Sequence, residues 1–93
     1  MHKAYGKKAA TSWYNEIKDW NFSTSSPKNG ATGATGHFTQ NVWCYTKTIG
    51  VGASTFVGGG WNNLMIVADF NPGGNMKNLY SANVKANSIA CIF

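Results

Sequence analysis

An α+β domain, helical first and hairpin after, is what this 93-residue sequence predicts. Ala9, Trp13, Ile17 and Trp20 recur at helical spacing. Two strand-like runs, Thr48–Phe56 and Leu64–Phe70, flank the turn-forming Gly58-Gly59-Gly60. An apolar fraction of 43% with four tryptophans is enough for a core and argues against disorder. The length allows one domain, and a chain this short buries only a little over roughly 60% of its unfolded surface.

The first helix is expected over Ala9–Trp20, with Asn15, Lys18 and Asp19 away from its apolar stripe. Glu16 borders that stripe, so it is either a solvated edge carboxylate or a group whose head enters a cleft. Residues 21–36, rich in Ser, Thr, Gly and Asn, break all periodicity and read as a long surface loop. From His37 to Lys47, strand-like alternation competes with Phe38, Val42 and Tyr45 at i, i+4 and i+7, and the helix is the preferred reading. On that helix His37, Asn41 and Cys44 form a polar stripe, while Phe38, Val42 and Trp43 are expected to anchor it to the hairpin. Ile49, Val51, Ala53 and Thr55 alternate with Gly50, Gly52, Ser54 and Phe56, and LMIVADF reads as a second strand buried on both faces. Gly50 and Gly52 leave room for something packed closely above them. Asn71-Pro72-Gly73-Gly74-Asn75 is strong turn chemistry, and the tail to Phe93 carries no pattern that assigns a structure.

The net charge of +5 comes from eight lysines and no arginine against Glu16, Asp19 and Asp69. Scattered lysine favours diffuse attraction to anionic surfaces over the bidentate contacts that arginine makes, so no nucleic-acid partner is expected and an anionic membrane is. Cys44 and Cys91 are too few for a disulfide framework or zinc finger; they pair if the tail folds back, or stay free thiols in a reducing compartment. The longest apolar run, Leu64 to Ala68, is strand-sized. Met1 to Gly6 lacks the apolar segment of a signal peptide, so export by that route is not expected unless the true N-terminus lies upstream.

Four blocks in order resemble the CAP superfamily of cysteine-rich secretory proteins, antigen 5 and pathogenesis-related proteins. Ser12-Trp13-Tyr14-Asn15-Glu16-Ile17 resembles its WYxE helix, and Gly36 to Trp43 its GHFTQxVW signature. Ile49-Gly50-Val51-Gly52 resembles the central strand, and Phe70 to Asn75 the YNPxGN turn. The resemblance covers residues 12–84 of a single partial domain, 1–93, expected to be N-terminally truncated. Glu16-Ile17-Lys18, Asn21-Phe22 and Gly50-Val51-Gly52 look most like the Golgi-associated plant-pathogenesis-related branch.

The resemblance implies an α-β-α sandwich, here incomplete, with the first helix and part of the cleft missing. It also implies a cleft with a tetrad of two His and two Glu that holds a divalent metal in some members. Glu16 and His37 match half of it, with His37 turned toward Glu16, and Asn41 joins them as a ligand-binding position. The HNxYR-like and GEN-like motifs that carry the other half are absent. No cofactor is required on this reading, and zinc is expected only if the missing half is supplied. The function expected is non-enzymatic binding of lipid or sterol at a membrane or cell surface, with a homodimer as the protein partner. A secreted defence, venom-like or signalling role is the alternative, and hydrolysis using His37 with Cys44 is the third reading. The location implied is extracellular, with the cytosolic face of Golgi membranes as the alternative.

Overall fold

A computed structural model describes residues 2–87 and Cys91 of the chain. The tail residues 88–90 and 92–93, which the sequence left unassigned, lie outside the described residues. The fold is α+β. In order it comprises α1 (His2–Tyr14), a 3-10 turn (Asn15–Asp19), β1 (Trp20–Asn21), β2 (Ser26–Pro27), α2 (Gly36–Asn41), β3 (Thr48–Gly58), β4 (Trp61–Asn71) and α3 (Tyr80–Asn83).

The first helix lies earlier than its apolar stripe suggested. Lys and Ala, good helix formers without an apolar face, carry α1 back through the basic lead-in. At Tyr14 the helix tightens into the 3-10 turn, because Trp20 leaves helical space (φ −101°, ψ 135°) to enter the core at 4% exposure. The predicted loop 21–36 holds one small organised unit. β1 and β2 pair antiparallel, Trp20 with Pro27 and Asn21 with Ser26, around a turn in which Asn21 Oδ1 accepts the Ser23 and Thr24 amides.

The second helix ends at Asn41 and not at Lys47. Beyond it the chain is held by partners outside the helix: the Cys44 amide donates to the Asn83 carbonyl, the Tyr45 amide to Asn83 Oδ1, and Cys44 is bonded to Cys91. His37, Asn41 and Cys44 therefore do not form one helical stripe. Of the two alternatives left open for the cysteines, the disulfide is the one realised.

β3 and β4 form a hairpin of eleven consecutive pairs, from Thr48 with Asn71 to Gly58 with Trp61. Gly59 and Gly60, with φ of 60° and 79°, make the two-residue turn whose backbone twist suits antiparallel strands. The strands are thus longer than predicted. They are also far more exposed: β3 is exposed from Thr48 to Val57, and β4 alternates between exposed and half-buried instead of being buried on both faces. Nothing lies within 4 Å of a Cβ placed on Gly50 or Gly52, so the close packing expected there does not occur among the described residues.

The core belongs to the helical half. Trp20, Phe38, Trp43 and Val84 are buried together, with Ile17, Phe22, Val42 and Tyr80 packed against them. Tyr80 lies 5.6 Å from the Trp20 ring and 5.3 Å, edge-on, from Trp43, while Phe22 meets Phe38 edge-on at 6.1 Å. Phe38, Val42 and Trp43 are thus anchored to this aromatic cluster, none of whose members belongs to the hairpin, because the Tyr80 ring and Val84 pack with them.

Candidate functional site

Glu16 sits in the 3-10 turn and reaches across to the start of α2, whose own N-cap residue, Thr35, supplies no side-chain hydrogen bond. Glu16 Oε1 accepts the amides of His37 and Phe38, each at 3.0 Å. Its Oε2 lies 2.8 Å from His37 Nδ1. Because an ionised carboxylate only accepts, the imidazole donates to it through Nδ1. The Glu16 side chain is 17% exposed and that of His37 58%. Glu16 is therefore a long-range helix cap, satisfying amides that a short helix leaves unpaired. Trp13 stacks on the face of the imidazole, with ring centroids 5.5 Å apart and planes 14° apart, so His37 is held by both a carboxylate and an indole.

A second set of contacts fixes α2 to the turn after β4. Asn75, itself at φ 56°, donates through Nδ2 to the Gly36 carbonyl at 2.8 Å, and the Thr39 hydroxyl donates to Asn75 Oδ1 at 2.6 Å. Gln40 Oε1 accepts the Gly74 amide at 2.7 Å, and the Thr46 hydroxyl donates to the Pro72 carbonyl at 2.7 Å. A Cβ on Gly74 would stand 2.8 Å from Trp43 Cγ, so only glycine fits under the indole. The sequence reading identified the turn but not Thr39, Gln40 and Asn75 as its clamp. The asparagines and glycines of Asn71 to Asn75 signalled a turn, and nothing in them named a helix 35 residues upstream as its partner.

Between α2 and β4 lies a cavity of about 570 Å³, lined by Trp13, His37 and Asn41 on one side and by Ile66, Ala68 and Phe70 on the other. Asn41, expected beside His37, lines this cavity and makes no hydrogen bond to the imidazole. A larger, more open depression of about 730 Å³ runs along α1, where Lys7, Lys8 and Lys18 face Glu16 and Asp19.

The described residues do not fit a divalent metal. Among them no group of three His, Cys, Asp or Glu side chains comes together, whereas a catalytic zinc ordinarily takes three protein ligands and a water. Both oxygens of Glu16 are also committed within the protein, as is His37 Nδ1. Cys44, being bonded to Cys91, offers no thiolate, so the thiol-hydrolase arrangement of His37 with Cys44 is not formed. No helix of the described residues is long and apolar enough to cross a membrane.

The described residues thus form a mixed helix and hairpin unit, in which a glutamate caps a histidine-bearing helix that is clamped to an Asn-Pro-Gly-Gly-Asn turn. The chain belongs to the cysteine-rich secretory protein (CAP) family, whose model matches residues 3–70. Golgi-associated plant pathogenesis-related protein 1 of Homo sapiens is 42% identical over 73 residues, covering 78% of this chain and 43% of that protein. Venom allergen 5.02 of Vespa crabro is 39% identical over 66 residues, 71% of this chain and 31% of the allergen. A protein of Trittame loki named CRISP/Allergen/PR-1 is 40% identical over 72 residues, 75% of this chain and 18% of its own length. The chain thus spans less than half the length of the curated relatives it matches. No solved structure matches it significantly.

Proposed function

We propose that this chain is a non-enzymatic CAP unit that binds a lipid or sterol and associates with a membrane or cell surface. The observation that carries the reading is the cavity between α2 and β4. At about 570 Å³ it falls in the range of small-molecule sites, and its Ile66, Ala68 and Phe70 wall faces a lip bearing His37 and Asn41. An apolar wall with a few polar groups at the mouth suits a molecule with a hydrocarbon body and a polar head. Lys7, Lys8 and Lys18, all exposed along the neighbouring depression, add attraction to anionic headgroups of about 1 kcal/mol each near the surface. On this reading His37, held in place by Glu16, shapes the mouth of the cavity, and no metal is required.

The Cys44–Cys91 disulfide supports an extracellular location over the cytosolic face of Golgi membranes, since such bonds persist in oxidising compartments. It also leaves room for a second reading, a secreted defence or venom-like role through protein contacts, which the venom allergens among the relatives favour.

Flotation with phosphatidylinositol vesicles tests the membrane reading. The chain is expected to float with them and to be released as salt rises, because the Debye length shrinks to roughly 3 Å at 1 M. Equal recovery on neutral vesicles would remove the role of the lysines. Absence from both vesicle types, together with unchanged tryptophan fluorescence on adding a fatty acid or sterol, would sink the lipid reading.

A further inference from the structure

We propose that Asn21 is an N-glycosylation site, accepting an oligosaccharide from a lipid-pyrophosphate carrier in the lumen of the secretory pathway.

Asn21-Phe22-Ser23 is an Asn-Xaa-Ser triplet whose middle residue is not proline, the pattern that lumenal transfer requires. Every other asparagine of the sequence lacks a Ser or Thr two positions further on. A three-residue pattern arises often by chance, and what gives this one weight is the turn that holds it.

Asn21 is the last residue of β1 and is half-buried, while Ser23 and Thr24 in the turn to β2 are exposed. Phe22 between them packs edge-on against Phe38 at 6.1 Å, which ties the turn to the core. Asn21 Oδ1 accepts the Ser23 amide at 2.9 Å and the Thr24 amide at 3.3 Å, closing an Asx turn. Two donors converge on that atom, so it is the amide oxygen, and the amide nitrogen points elsewhere. Among the described residues Asn21 Nδ2 donates to no protein group, and the Ser23 hydroxyl is also unbonded, whereas the Thr24 hydroxyl is shared with that of Ser26 at 2.7 Å. An N-linked sugar replaces one Nδ2 hydrogen and leaves Oδ1 an acceptor. The modified side chain can therefore still close its turn.

The chemistry balances without a redox partner. Nδ2 attacks C1 of the carrier-bound sugar, the C1–O bond to the pyrophosphate breaks, and the lipid pyrophosphate leaves with that electron pair and takes up the amide proton. Transfer occurs on the entering chain, so the triplet is what is recognised and the folded turn must accommodate the product. No residue from 21 to 27 lines the cavity between α2 and β4 or the lysine-bearing depression along α1, so the attachment point lies outside both. The site rests on the proposed extracellular location, because the chain must enter an oxidising lumen, which the Cys44–Cys91 bond favours. It does not depend on lipid binding.

The whole chain, led into the lumen of eukaryotic cells by a cleavable leader, tests the site. The leader-free product is expected to run with a mass shift that peptide N-glycosidase removes. Removal in heavy-oxygen water is expected to convert Asn21 to an aspartate carrying the label, which separates a lost glycan from spontaneous deamidation. Ser23→Ala keeps the backbone amide that Oδ1 accepts, and Asn21→Asp keeps the turn-closing oxygen; each should abolish the shift. A chain whose leader has been cleaved, and which has therefore reached the lumen, overturns the proposal if it carries no glycan. A shift that persists in Ser23→Ala overturns it as well. These readings do not require any variant to fold, because transfer precedes folding. A chain modified in this assay but unmodified when isolated from its own source keeps the acceptor site and overturns the extracellular location instead.

Discussion

Replacing Glu16 with alanine separates a structural carboxylate from a ligand-holding one. In the folded chain Glu16 accepts two backbone amides at 3.0 Å and the His37 ring at 2.8 Å. Phe38, whose amide is one of these, is 1% exposed, so without Glu16 that amide has neither its partner nor easy access to water. Hydrogen bonds to a charged group contribute about 1.5–3 kcal/mol each, and loss of a helix cap costs about 0.5–2 kcal/mol. The His37 bridge adds little, because that side chain is more than half exposed and solvent screens it. Glu16→Ala should therefore cost about 3 kcal/mol. Glu16→Gln keeps one oxygen for the two amides and should cost about 1 kcal/mol. His37→Ala, which leaves the cap intact, should cost about 1 kcal/mol through the lost bridge and Trp13 stack. Urea unfolding followed by the fluorescence of the buried Trp20 and Trp43 measures all three. A His37→Ala loss larger than that of Glu16→Ala would refute the capping role, as would a Glu16→Ala midpoint equal to the parent's. Added zinc should leave the parent's midpoint unchanged, since two committed side chains hold it poorly.

Three further outcomes follow from the contacts around the Asn71 to Asn75 turn and the disulfide. Gly74→Ala should destabilise by about 1–3 kcal/mol, because the added methyl meets the rigid Trp43 ring at 2.8 Å; thermal unfolding checks it. Asn75→Ala loses both bonds to α2 at a backbone position of positive φ and should cost about 2–3 kcal/mol, while Asn75→Gly, which tolerates that φ, should recover part of it in the same assay. Joint replacement of Cys44 and Cys91 by serine releases a constraint between residues 47 apart and should lower urea stability by about 2–4 kcal/mol; an unchanged midpoint would mean that the tail contributes nothing to the fold.

What could be read from the sequence divides along local and non-local lines. The hairpin announced itself through β3 alternation and three consecutive glycines, both local signals. The burial of LMIVADF did not follow, since an apolar run states what could be buried and not what is there to cover it. Residues 2–8 of α1 were missed because lysine and alanine favour a helix through propensity while leaving no apolar stripe to detect. The end of α2 was misplaced for the opposite reason: Phe38, Val42 and Tyr45 satisfied the helical period, but Asn83 and Cys91, 39 or more residues downstream of Cys44, pull the chain out of it. Glu16 and His37 were each picked out by residue type and position. That the glutamate would cap the helix bearing the histidine needed the topology that brings residues 21 apart together.

The two halves of the molecule depend on each other through few groups. The buried core is small, built from Trp20, Phe38, Trp43 and Val84, and none of these belongs to the hairpin. What binds the hairpin to the core at its base is polar: Thr39, Gln40 and Thr46 on one side, and the backbone of residues 72–75 with the Asn75 side chain on the other. Polar clamps of this kind fix direction more than they add stability, since each bond contributes only about 1 kcal/mol net. The cavity wall, which is β4, therefore takes its position from the turn, while its Leu64, Ile66, Ala68 and Phe70 are half-buried and not part of the buried core.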